Sequence, residues 1–90
     1  MKHKHYPEKS EIRHRGKAVA DAMKHLTKKS IEIMGIDLRT HVPVIEIYHC
    51  AGNDRLESTG AGNGADISGK YVRKMAHISG CEVIWNEYQN

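Results

Sequence analysis

Residues 71–88 read Y-V-R-K-M-A-H-I, then S-G, then C-E-V-I-W-N-E-Y. Two eight-residue runs rich in β-branched and aromatic residues flank Ser79–Gly80, a dipeptide suited to a tight turn. This is the pattern of a β-hairpin. With a two-residue turn, Ile78 faces Cys81, Ala76 faces Val83, Lys74 faces Trp85 and Tyr71 faces Tyr88. Side chains alternate along a strand, so Val72, Ala76, Ile78, Cys81, Val83 and Trp85 share one face, assigned to the core. Arg73, Met75, His77, Glu82, Ile84 and Asn86 share the other.

Before the hairpin, G-A-G-N-G-A-D-I-S-G (Gly60–Gly69) holds several glycines and reads as a loop. R-L-E-S-T (Arg55–Thr59) is a weak strand candidate. H-V-P-V-I-E-I-Y-H-C (His41–Cys50) is a strand, with Pro43 marking a sheet edge or the first residue of the ladder.

The first part of the chain is helical in pattern. Ser10 is a suitable N-cap, and Glu11 puts a negative charge in the first turn. Ile12, Gly16, Val19, Ala20, Met23 and Leu26 then recur on one side of a helix. Ile31 and Met34 extend that pattern, and Gly35 suits a left-handed C-terminal residue with Ile36 folding back. The expected helix runs from Ser10 to Met34, although S-I-E-I-M also alternates like a short strand. Gly16 either weakens this helix or allows close packing on a sheet. The expected fold is α+β: one long N-terminal helix on a three- or four-stranded antiparallel sheet ending in the C-terminal hairpin. Residues 1–9 form a flexible basic arm and residues 10–90 a single domain.

The bulk properties narrow the function. Ninety residues leave room for one binding surface and little for a large enclosed active site. No apolar run approaches the roughly 20 residues that span a bilayer, and no apolar segment follows the basic N-terminus as in a secretory signal. No membrane association and a cytoplasmic location are expected, with the thiols of Cys50 and Cys81 reduced. Charge is unevenly placed. Residues 1–40 carry ten Lys/Arg against five Asp/Glu, and residues 41–90 carry four against six.

That asymmetry makes the helix a candidate polyanion surface. Arg13, Lys17, Lys24 and Lys28 lie on one stripe, interrupted by Asp21, and Arg15, His14 and His25 widen it. A charged stripe is also what any solvated helix face presents. G-A-D-I-S-G-K-Y (Gly64–Tyr71) approaches a phosphate-binding loop but has Tyr71 where the motif needs Ser or Thr, and no helix pattern follows. A weaker anion-holding role remains for backbone N–H groups there, with Lys70 and Arg73 nearby. His49, Cys50, His77 and Cys81 are a poor zinc set, because His49 and Cys50 are adjacent and point to opposite faces of a strand. No metal or cofactor is expected. For acid–base chemistry the only set is Glu46, His49 and His77, with His77 and Glu82 opposed across the hairpin.

The outer hairpin face is the other candidate. Met75 opposes Ile84 and Tyr71 opposes Tyr88, with Arg73 among them, a patch suited to a protein partner. The expected function is therefore a non-catalytic binding protein. It would be a small regulator or inhibitor, of the kind phages and other mobile elements encode, docking on a nucleic-acid-handling protein. A sequence-tolerant nucleic-acid binder using the basic helix is the alternative, and a small metal-free hydrolase or nuclease a further one. Open sheet edges in so small a domain also favour a homodimer.

Overall fold

In the computed structural model, residues 9–49, 53 and 56–89 are described, the first five as backbone only. The expected basic arm lies almost wholly outside these residues. The described elements are α1 (Lys9–Lys28), β1 (Ile33–Asp37), β2 (Val44–Ile47), β3 (Thr59–Asp66), β4 (Gly69–Ile78) and β5 (Cys81–Tyr88). The five strands form one sheet in the order β1-β2-β5-β4-β3. The class is α+β, but the sheet is larger than expected and mixed: β2 and β5 run parallel, and the other neighbours are antiparallel.

The hairpin has the register its sequence indicates. Tyr71 pairs with Tyr88, Lys74 with Trp85, Met75 with Ile84, and Ile78 with Cys81. Both turn residues have positive φ, 51° at Ser79 and 82° at Gly80. This handedness matches the twist of the strands it joins. Ala76, Ile78, Cys81, Val83 and Trp85 are all buried on the face beneath the helix.

The helix is not the long one expected. It stops at Lys28, and the reason lies in its backbone bonds. Ile31 donates its N–H to the Leu26 carbonyl and Ser30 donates to Thr27, with Ser30 at φ 59°. This is a Schellman ending. It is the device expected at Gly35, formed earlier around a serine, and the apolar residue that folds back is Ile31. Leu26 and Ile31 are both buried. The chain then extends, and Ile33–Asp37 becomes a strand instead of a last helical turn. Ser10 lies inside α1 instead of capping it.

Ser30 sits in a conformation that costs an L-residue roughly 1–2 kcal/mol. Ser30→Gly is therefore expected to stabilise the fold by about 0.5 kcal/mol, after the added freedom of glycine in the unfolded chain is subtracted. Thermal unfolding should show this as a Tm rise of a few degrees.

The buried stripe of α1 passes through Val19, Ala22 and Leu26, with Ala18 packed beside it. Ala20 and Met23, expected inside, face outward. A Cβ on Gly16 would meet nothing within 4 Å, so this glycine does not serve close packing.

The glycine-rich segment is a strand, not a loop. It forms β3, paired with β4 from Thr59↔Met75 to Asp66↔Gly69, with an irregularity between Gly60 and Gly62. Only Thr59 of the R-L-E-S-T stretch enters it. Leu56 instead joins the core from the segment that carries the chain from β2 to the far edge of the sheet. Pro43 does not mark an edge, since β2 is internal. It stands just before β2, where no N–H is needed, and its carbonyl accepts the Glu82 N–H at 2.9 Å.

Candidate functional site: the uncovered sheet face

The helix covers one face of the sheet, and no described element covers the other. Strand alternation and register place the side chains on this second face in rows. Val44, Glu82 and His77 make one row. Glu46, Ile84, Met75 and Thr59 make the next. Tyr48, Asn86 and Arg73 follow, and Tyr88 with Tyr71 closes the set. Five strands about 4.8 Å apart give a projected face on the order of 600 Å², close to the ~800 Å² each partner contributes to a standard protein interface.

The face is built, not loose. Arg73 donates to the Asn86 side-chain oxygen at 2.8 Å and approaches Glu46 at 3.6 Å, linking β2, β5 and β4. Tyr71 and Tyr88 meet edge to face, with centroids 5.4 Å apart and planes at 65°. The Tyr88 hydroxyl donates to Asp66 at 2.6 Å. Accepting that bond, the Asp66 carboxylate pushes the Tyr88 phenol above its ordinary range, so it remains a donor. Tyr71 in turn lies across Gly64 on β3, where an added Cβ would collide with the Tyr71 ring. An aromatic ring covering a strand glycine opposite it is a recognised way to pin an edge strand.

At the same end of this face, a cleft of about 430 Å³ opens between Tyr48 and Tyr88. Met34, Glu46, Ile47, His49 and Asn86 complete its lining. Tyr48 is held by its backbone: its N–H donates to the Glu32 carbonyl at 3.1 Å, and its own carbonyl accepts from Asn53 Nδ2 at 3.2 Å. Asn53 is itself 2% exposed. Met34, Tyr48 and Tyr88 remain 49%, 48% and 40% exposed.

The candidate residues fall into separate groups. Tyr71, Arg73, Met75 and Ile84 come together on the uncovered face. Lys70 lies on the opposite side of β4 from Arg73, so the two do not jointly frame an anion. The glycines beside them are in an antiparallel ladder, not in a phosphate-binding turn. Lys17, Lys24 and Lys28 are exposed along the outward side of α1. Arg15 is half-buried, and its guanidinium donates to the Leu38 carbonyl at 3.2 Å, tying the helix to the β1–β2 connection. The Arg13 side chain lies outside the described residues.

The acid–base set does not converge. Glu46 and His49 line the same cleft, whereas His77 is opposed to Glu82 in the row at the turn end. Cys81 is buried, and desolvation pushes its thiol up. Cys50 lies outside the described residues. Among the described residues no three His, Cys, Asp or Glu side chains gather as metal ligands, and no helix is long and apolar enough to cross a membrane. At the end of β1, Asp37 is the most perturbed carboxylate among the described residues. Side-chain and backbone hydrogen bonds from Arg39 lower its pKa to about 2.

The sequence reading identified the hairpin half of the face and missed Met34 and Tyr48. The signal for Tyr48 was present: Val44, Glu46 and Tyr48 alternate. Using it required placing β2 beside β5. No protein-family model, curated protein or solved structure matches this chain.

Proposed function

We propose that this chain is a non-catalytic binding protein. It acts in the cytoplasm as a small regulator or inhibitor, of the phage or mobile-element kind, by docking on a protein that handles nucleic acid. One observation carries the reading. A preorganised sheet face of interface size, holding Tyr71, Met75, Ile84 and Tyr88, has no described element over it. Large apolar side chains grouped on one rigid surface, Tyr71, Met75 and Ile84 half-buried and Tyr88 exposed, fit a partner better than they fit water. The basic side of α1 lies on the other side of the domain and is free to steer the approach to an acidic region of that partner.

The second reading is direct binding of nucleic acid through Lys17, Lys24 and Lys28, favoured by their exposure on one helix side. Two variants separate the readings. Met75→Asp/Ile84→Asp places charge on the sheet face, and Lys24→Glu/Lys28→Glu reverses charge on the helix. Affinity capture from cell extract is compared with fluorescence anisotropy on single- and double-stranded DNA and RNA at about 50 and 200 mM salt.

The docking reading expects capture of a nucleic-acid-handling protein to fall at least about tenfold in the sheet variant, an effect typical of a central interface position. It expects capture to survive in the helix variant. Nucleic-acid binding that weakens steeply with salt and disappears only in the helix variant would establish the second reading instead.

A further inference from the structure

We infer that the cleft between Tyr48 and Tyr88 is a receptor for a cationic side chain, the arginine or lysine of a docking partner. The inference rests on the docking reading above and names the chemistry of one contact within it. Its basis is the lining. Two tyrosines, the Glu46 carboxylate, the Asn86 amide and the Met34 thioether, with Ile47 and His49, surround a space of about 430 Å³. Aromatic faces attract a cation through the ring quadrupole, and a carboxylate beside them adds a charge-assisted hydrogen bond.

Preorganisation strengthens the case. One wall is Tyr88, held by its edge contact with Tyr71 and its hydrogen bond to Asp66. The opposite wall is Tyr48, whose backbone is fixed on both sides by Glu32 and Asn53. A cation entering between them meets a Tyr88 ring already in place and a Tyr48 side chain carried on a fixed backbone, which limits the freedom lost on binding. Arg73 does not fill the site. It approaches Glu46 from the β4 side and donates to Asn86, and it is not part of the cleft lining. An arginine or lysine is also the side chain that a nucleic-acid-handling protein presents most densely where it would hold phosphates. Occupation of this cleft would then take one such residue out of use.

The test is an NMR titration of the full chain with Nα-acetyl-arginine methylamide, its lysine counterpart, and the neutral citrulline isostere. Saturable amide shifts are expected at Met34, Tyr48, Asn86 and Tyr88 for both cations, with dissociation constants in the millimolar range suited to a single side chain. Citrulline should give none. Tyr48→Leu and Tyr88→Leu should each weaken binding about three- to tenfold, and Glu46→Gln about threefold. Thermal unfolding of each variant serves as the control for folding.

Arg73→Gln gives an independent check. It frees Glu46 and is expected to tighten binding. Equal shifts with citrulline, shifts confined to the acidic residues of other surfaces, or no saturable response to either cation would overturn the inference. Loss of partner capture in the Met75→Asp/Ile84→Asp variant would stand regardless, so failure here is distinguishable from failure of the docking reading.

Discussion

Trp85→Ala is expected to destabilise the domain by about 3–5 kcal/mol, the range for truncating a large buried aromatic side chain. Trp85 is 0% exposed and is the largest fully buried side chain described. It sits on β5, in the middle of the sheet, where the surrounding strands cannot collapse inward to fill a void. Its ring nitrogen donates to Glu87 at 3.0 Å. Glu87 is only half-buried and can turn to water when that donor is removed, so the cavity supplies most of the loss. A domain of 90 residues has roughly 5–13 kcal/mol of stability in total. The variant should therefore keep roughly 0–10 kcal/mol and unfold at a markedly lower urea concentration. Urea unfolding followed by far-UV circular dichroism measures the change without needing the indole as a probe. A loss below about 1 kcal/mol would mean that Trp85 is not enclosed as described.

The second large effect is at the helix C-terminus. Leu26→Ala is expected to cost about 2–5 kcal/mol, and Met23→Ala less than about 0.5 kcal/mol. Leu26 is 0% exposed and Met23 is 36% exposed. Beyond its own burial, Leu26 provides the apolar contact that folds Ile31 back at the Schellman ending, and its carbonyl accepts the N–H groups of both Lys29 and Ile31. Truncation leaves those backbone bonds in place but removes the packing that holds the chain in that geometry. The pair of variants is decisive because the helical periodicity in the sequence gives Met23 and Leu26 the same inward side. Equal losses at the two positions would contradict the orientation of α1. Denaturant unfolding under one set of conditions compares them directly.

The hairpin of β4 and β5 was legible because two independent signals agreed. Its turn carries a glycine where φ must be positive, and its alternation sorts apolar from polar residues over eight positions on each strand. The core list from Ala76 to Trp85 and the outer patch at Tyr71, Met75 and Ile84 follow from that alone. The helix end was not legible, because a serine occupies the left-handed position and Ile31 and Met34 happen to keep helical spacing. Tertiary packing of Ile31, not local propensity, decides that boundary.

β3 was hidden for a different reason. Thr-Gly-Ala-Gly-Asn-Gly-Ala-Asp has almost no side chains that favour a strand, and it is ordered by the β4 ladder and the Tyr71 ring lying on Gly64. The parallel pairing of β2 with β5 depends on contacts between segments far apart in sequence, which periodicity cannot register. The cleft between Tyr48 and Tyr88 inherits that difficulty, since Tyr48 directly follows β2 and Tyr88 ends β5.

The last of the described strands is also the strand in the middle. β5 follows all the others in the chain, yet it separates β2 from β4 in the sheet. Until residues 81–88 emerge, the nascent polypeptide holds two hairpins that have no strand between them and expose edges that invite wrong partners. β5 joins β4 across a two-residue turn, but its pairing with β2 is distant in sequence, so closing the sheet is expected to be slow for a domain of this length.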